Sequence, residues 1–499
     1  MRKLPITLML VLGAAAVALM AGLSVNALRS VCPQPDSVPI VSITVDKKAA
    51  AQRLSEAVRL RTIAPEDPQH LDPRPLRELH RLLVDSYPNV HRTLRREVVN
   101  DNSLLYTWSG SADGRKPILM MAHLDVVPVE PGTEQAWTYP PFAGTIADGW
   151  VWGRGTLDDK ASVLGLLEAV ELLIAEGFRP ARTVYLAFGH DEESRGREGA
   201  VKIVALLKSR NVALEYVLDE GLIVGDGLIP GVAEPVGLIG TAEKGWLTIE
   251  LTAAGAGGHA SMPPPQTAIG LLAAAIHKLE THPMPATIQE PTRSLFVCVG
   301  PKMSFIRRVV FSNLWLFEPL VLRQLTAAPS TNAAVRTTLA VTIIRGGTAD
   351  NVLPTSATAV VNARIVPGET TDSVLERIRL IIGDEQILVK ALKREEPIAP
   401  SPTGSTSFRA LTRTVREIFP RAVVAPGLVL GRTDSAHFQD VTEATYRFLP
   451  VVLRREDLSR IHGTNERIAI DSYETLIKFY AQLIRNSAAR QQPTTPATR

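Results

Sequence analysis

The chain has 499 residues, 45% of them hydrophobic, and a formal net charge of +3. It is long enough to bury large cores and to form two or more globular units. So small a charge, with no basic stripe interleaved with aromatics, argues against a nucleic-acid partner, and two cysteines, Cys32 and Cys298, cannot build a disulfide framework or a thiolate zinc site. A bridge between the two is not expected, so any metal must be held by His and carboxylate.

Residues 4–28 carry no charge and follow Arg2 and Lys3. About 20 apolar residues suffice to span a bilayer as a helix. The positive flank favours an N-terminus in the cytoplasm and the body of the protein beyond the membrane. Val25-Asn26-Ala27 also offers small residues for signal peptidase. Residues 1–30 therefore read as a retained single-helix anchor or as a removed signal peptide. Either way the body is exported (periplasmic, luminal or extracellular) or secreted. At the other end, residues 486–499 are rich in Gln, Pro, Thr and Ala and read as a disordered tail.

After a Pro-rich join at 32–39, residues 47–60 and 75–86 carry helical periodicity, and 103–109 and 118–122 read as strands. The second, Ile-Leu-Met-Met-Ala, is wholly apolar, as a strand buried on both faces must be. It delivers His123 and Asp125, which an extended chain puts on one side. That spacing suits a metal-binding imidazole and a carboxylate that fixes its tautomer. A turn-rich connector then leads to Gly153-Arg154-Gly155-Thr156-Leu157-Asp158-Asp159-Lys160, which opens a periodic helix at 161–176. Alone, the paired Asp158 and Asp159 would read as an N-terminal cap.

Residues 182–189 form another apolar strand, ending in Gly189-His190-Asp191-Glu192-Glu193-Ser194-Arg195-Gly196. Glycines on either side allow a tight turn, so one Glu can bind metal while the other stays free as a base. Tyr216-Val217-Leu218-Asp219-Glu220-Gly221 repeats the strand-to-acid pattern. Strand, acid, helix, strand, acid is the layout of an α/β domain with ligands at the carboxyl ends of parallel strands. His190 and His437 read as supporting or packing residues.

From Glu243 the character changes. Residues 247–252 alternate, Gly257-Gly258-His259-Ala260-Ser261 follows, 266–280 reads as a helix, and strands recur at 338–344 and 357–365. No strand in this stretch ends in acid, so it reads as a separate α+β domain inserted into the first. Its segment 305–325 is markedly apolar, either a surface for a lipid-like substrate or membrane, or a buried helix of the insert. Beyond Pro367 the α/β pattern returns, with helices at 373–383 and 405–419 and a strand at 446–453. Ile461-His462-Gly463-Thr464-Asn465-Glu466 precedes a terminal helix at 472–484. The expected domains are 40–243 and 366–485 as two catalytic parts, with 244–365 between them.

Together, and in this order, the His123–Asp125, Gly153–Lys160, Glu192–Glu193 and His462–Glu466 motifs resemble the di-zinc exopeptidase and amidase family of aminoacylase, carnosinase and carboxypeptidase S. The branch that looks most similar holds carboxypeptidase S and the N-fatty-acyl-amino-acid synthase/hydrolase. The resemblance implies a zinc-exopeptidase-like α/β catalytic domain, its mostly parallel sheet flanked by helices, with an inserted α+β lid or dimerisation domain. It implies two Zn²⁺ ions per chain, bridged by Asp158, with His123 and Asp219 on one ion and Glu193 and His462 on the other. Glu220 is the alternative to Asp219. Asp125 would orient His123, and Glu192 would be the general base and then the acid. His259 would stabilise the oxyanion, in many relatives from a partner's insert within a homodimer. Arg364, with Asn351 and Thr433, would hold the free carboxylate of an N-acyl amino acid or small peptide. The same site could also run as N-fatty-acyl amino acid synthesis. The competing reading is a non-catalytic, envelope-tethered protein that binds lipid or a partner through its apolar insert.

Overall fold

The computed structural model describes residues 6–490, apart from 33, 35–40, 66 and 113. The chain divides into two compact units, each discontinuous in sequence.

Cys32–Thr241, Ser401–Pro426 and Thr433–Arg499 make up the first unit. Its eight-stranded sheet contains β1 (Arg95–Val99), β2 (Ser103–Trp108), β3 (Ile118–His123), β4 (Val184–Gly189), β5 (Tyr216–Gly225), β6 (Val236–Glu243), β7 (Val423–Val429) and β8 (Thr445–Leu453). The spatial order is β1-β2-β4-β3-β5-β8-β6-β7. The centre, β4-β3-β5-β8, is parallel, while β1, β2 and β6 pair antiparallel. Every residue of β3 is buried, as its unbroken apolar run requires. Helix Lys160–Ala175 is apolar almost all round and buries twelve of its residues. It packs on the terminal helix Ile470–Ala488, and a Cβ at Gly165 would collide with Leu476. That helix extends past the expected start of the tail at 486; residues 491–499, and most of the Pro-rich join, lie outside the described residues.

Met1–Val31, Ala242–Pro400 and Gly427–Arg432 make up the second unit. It contains an antiparallel four-stranded sheet, ordered Thr338–Gly346, Ser356–Ile365, Gly245–Ala254, Ile387–Glu395. Side chains alternate: Leu247, Ile249, Leu251 and Ala253 are buried with helices Ala268–Thr281 and Thr371–Ile382, and the residues between them are not. The insert therefore closes near Pro400, not at 365. Residues 366–400 were expected to resume the catalytic domain. Instead strand Ile387–Glu395 pairs with Gly245–Ala254, with Val389 opposite Leu251, and completes the inserted sheet.

Helix α1 (Ile6–Arg29) belongs to this second unit. Of its residues, Met9–Arg29 are long and apolar enough to cross a membrane, with mean hydropathy 2.0. Helix Lys160–Ala175 is labelled α2, and the apolar segment 305–325 forms α3 (Phe305–Ser312) and α4 (Leu314–Leu325). Neither reading of that segment holds alone. Leu314 and Val321 are buried with Phe296, while Trp315 is 68% exposed. Both cysteines are disulfide-bonded, contrary to expectation. A single bridge needs only two Cβ atoms within reach, not a framework of spacings.

Candidate metal centre

His123 ends β3; around it gather Glu220 from the adjacent parallel strand β5, Glu192 and Glu193 just past the end of β4, and Asp158 from the loop before Lys160–Ala175. Its Nε2 lies 2.8 Å from Asp158 Oδ1 and 3.4 Å from Glu220 Oε1. Its Nδ1 faces the Asp125 carbonyl at 3.0 Å and Asp125 Oδ1 at 3.4 Å. The carboxylate of Asp125 also accepts from the backbone N–H of Glu192 (3.2 Å) and Glu193 (3.0 Å). One buried acid thus orients the imidazole and fixes the turn that carries both glutamates.

Asp158 and Asp159 do not cap α2: Asp159 is fully buried and makes no capping bond. Asp158 reaches two imidazoles, His123 through Oδ1 and His462 through Oδ2 at 2.9 Å. His462 Nε2 is also 3.3 Å from Glu193 Oε2. Three sets of potential ligand atoms each fall within 4.8 Å: His123, Asp158 and Glu220; Asp158, Glu193 and His462; and His123, Glu192 and Glu193.

Asp219 is not in any of these sets. Its Oδ2 accepts from Ser435 N (2.7 Å) and its Oδ1 from Glu220 N (3.0 Å). Of the pair, Glu220 has the carboxylate within 3.4 Å of His123.

Burial drives the electrostatics. It pushes Glu192 and Asp159 well above the carboxylate range and Glu193 up, and it raises Glu220 to about 8 with the help of Asp158. For Asp158 burial is overcome by hydrogen bonds from His123 and His462, which hold it well below that range. His123 is raised despite burial, by Glu220, Asp125 and Asp158; bonds to Asp158 and Glu193 lift His462 to about 10. So many buried acids around two imidazoles repel one another unless cations sit among them. Their hard oxygen and borderline nitrogen donors, with no thiolate, fit Zn²⁺.

Sequence reasoning gave Glu466 no role, although it closes one of the four motifs. Its Oε1 accepts from the N–H of Gly155 (3.0 Å), Leu157 (2.8 Å) and Asp158 (3.2 Å), and its Oε2 from Arg154 (2.6 Å). Arg154 in turn donates to the carbonyls of His462 (2.9 Å) and Gly463 (3.2 Å). This buried pair ties the loop bearing Asp158 to the loop bearing His462. The signal was an Arg inside one motif and a Glu ending another, both fully buried.

Thr433 belongs to the same unit, its Oγ1 2.7 Å from Ser435 Oγ. His190 bonds Ser103 through Nδ1 (2.7 Å), and His437 Nε2 meets the Arg195 carbonyl (3.0 Å), both in supporting positions. The other three expected substrate residues lie in the inserted unit. His259 is exposed and pairs with Val352 in a two-stranded ribbon, and Ala260 N donates to the Asn351 carbonyl (3.0 Å). Arg364 lies 3.6 Å above the centre of the Trp246 ring, its Nε 3.2 Å from Asn362 Oδ1.

Residues 119–486 match the profile of peptidase family M20/M25/M40. The chain is 42% identical over 446 residues to the N-fatty-acyl-amino acid synthase/hydrolase PM20D1 of Xenopus tropicalis, covering 89% of this chain and 86% of that one. It is 40% identical over 478 residues to the probable carboxypeptidase S-like 2 of Dictyostelium discoideum, covering 93% and 91%. Its fold matches the M20 family metallo-carboxypeptidase Sso-CP2 of Sulfolobus solfataricus with a TM-score of 0.63 at 19% identity, over 87% of this chain and 98% of that one. The chain therefore belongs to peptidase family M20/M25/M40 and is a metallopeptidase-type hydrolase on that family's α/β fold.

Proposed function

We propose that the chain is a di-zinc hydrolase that cleaves the amide of N-acyl amino acids, fatty-acyl ones included, or of small peptides with a free carboxylate. The observation that carries this is Asp158, shared between two His–carboxylate sets, with Glu192 beside them. One ion would be held by His123, Asp158 and Glu220, the other by Asp158, Glu193 and His462. When bound, the pair supplies Lewis acidity that acidifies a water and polarises the amide carbonyl. Glu192 takes the proton from that water as oxygen adds to the acyl carbon, and returns it to the nitrogen as the C–N bond breaks.

In His259, Nδ1 accepts from Ser261 N (3.2 Å), so its ring proton sits on Nε2. That N–H is a donor suited to the oxyanion, from the same chain or from a partner's insert in a homodimer. Arg364, kept flat against Trp246, offers a fork for the substrate carboxylate, with Asn351 and Thr433 assisting. The same groups serve condensation of a fatty acid with an amino acid, because a catalyst lowers the barrier in both directions. Helix α1 is read as a retained anchor with the catalytic body exported; the disulfide supports an oxidising compartment.

The test is amide hydrolysis by the detergent-solubilised full chain on N-fatty-acyl amino acids and dipeptides, with and without chelator. Cleavage lost to chelator and restored by Zn²⁺ is expected. Metal-loaded, folded protein that neither cleaves nor condenses any of these would refute the reading.

A further inference from the structure

We propose that α3 and α4 form a membrane-seated platform that grips the exit end of α1 and lies in the lipid interface beside it. This rests on the reading of α1 as a retained span.

The last turns of α1 are part of the folded inserted unit. Leu23 and Ala27 are buried. Asn313, buried at the α3–α4 junction, donates to the Leu23 carbonyl (3.0 Å) and the Val309 carbonyl (2.8 Å) and accepts from Asn26 Nδ2 (3.0 Å). Arg308 donates from Nε to the Ala27 carbonyl (2.7 Å). The bonds hold Asn26 and Ala27, two of the three residues that would otherwise offer a cleavage site.

The captured turns form the C-terminal end of the candidate span Met9–Arg29. Helices α3 and α4 therefore lie where that span would leave the hydrocarbon core and meet the interface. Their outer face is built for it. Phe305 (53% exposed), Ile306 (78%), Trp315 (68%), Leu316 (41%) and Leu320 (60%) face outward. The inner side is anchored by Leu314 and Val321, and Phe311 stacks on Phe296. Indole side chains favour the headgroup level. Between 302 and 323 the segment carries Lys302, Arg307, Arg308 and Arg323 against one acid, Glu318, which already pairs with Arg293. That surplus suits anionic headgroups. Lipid is the occupant that continues from the apolar span onto this exposed face.

The full chain reconstituted in phosphatidylcholine/phosphatidylglycerol vesicles tests this through the emission of Trp315, obtained by difference from Trp315→Phe. Expected are co-flotation with the vesicles, strong quenching of Trp315 by phospholipid spin-labelled near the headgroup, and weak quenching by aqueous acrylamide. Ile306→Asp with Leu320→Asp should reverse both quenching responses while flotation and zinc content stay unchanged. Flotation with Trp315 open to acrylamide and blind to the lipid label overturns the platform and leaves the span standing. Absence of flotation overturns both. Quenching by a spin-labelled fatty acid but not by the phospholipid would assign the face to an acyl ligand. Shielding that grows with the protein-to-lipid ratio would assign it to a second copy.

Discussion

Strand β3 is buried along all six of its residues, whereas Ser356–Ile365 in the inserted unit alternates buried and partly exposed positions. The two units are held together differently. Around the candidate metal centre, buried charge does the organising: Arg154 is 2% exposed, and Glu466 and Lys160 are fully buried, each bonded to backbone far away in the chain. The inserted sheet relies on one apolar layer against two helices, with its other face left open. The first arrangement holds ligands in place and tolerates no lost partner. The second tolerates polar change and is sensitive to lost volume.

The sharpest way to separate chemistry from frame is Glu192→Gln. It keeps the turn that Asp125 holds through backbone N–H groups, so zinc content should be unchanged. Turnover should fall by about 10³-fold or more, as expected for a lost proton carrier. Activity within a few-fold of the parent, with metal bound, would remove Glu192 from the mechanism. Glu466→Ala attacks the frame instead. It strands Arg154 and three backbone donors and should cost about 3–5 kcal/mol, with zinc lost in parallel by elemental analysis. Full zinc occupancy with unchanged stability would mean the buried pair holds nothing in place.

Leu251→Ala probes the other side of the comparison. Removing this fully buried side chain should cost about 2–5 kcal/mol in denaturant unfolding and leave zinc stoichiometry alone; a loss of zinc would contradict the division of labour. The smallest effect concerns Lys244, buried within the inserted unit with Nζ bonded to the carbonyls of Ala333 and Arg336 (2.9 Å each). Burial, with Arg364 nearby, lowers it from 10.5 to about 7. Between those pH values the unfolded chain holds a proton that the folded chain has released, so this group makes stability rise with pH. Lys244→Met should flatten the dependence of Tm on pH from 7 to 9.5, and an unchanged slope would reject the shift.

Much of the catalytic unit was legible because its signals are local. An apolar run ending in His or Glu identifies a buried strand and its cargo in one stretch, as at 118–125 and 184–193. The insert's far boundary was not, because strand Ile387–Glu395 earns its place only by pairing with residues more than a hundred positions earlier. Its alternation of Ile387, Val389 and Ala391 was the available clue. Choosing between Asp219 and Glu220 needs the facing of one strand position, which the composition of Leu-Asp-Glu-Gly does not encode. Segment 305–325 defied either single reading because its two helices are two-sided: α4 buries Leu314 and Val321, α3 only half-buries Val310 and Phe311, and the opposite sides are bare.

The staple made by Glu466 also sets when the enzyme becomes one. Its carboxylate binds the N–H of Asp158 across 308 residues of chain, and His462 comes from the same late segment. A nascent chain carries His123, Asp158, Glu193 and Glu220 long before it carries the segment that fixes their loop. Until about residue 466 has emerged and, on the exported reading, crossed the membrane, the ligands remain uncollected. On the proposed ligand set, the site would therefore be assembled only after the late segment carrying His462 and Glu466 has joined the loop of Asp158.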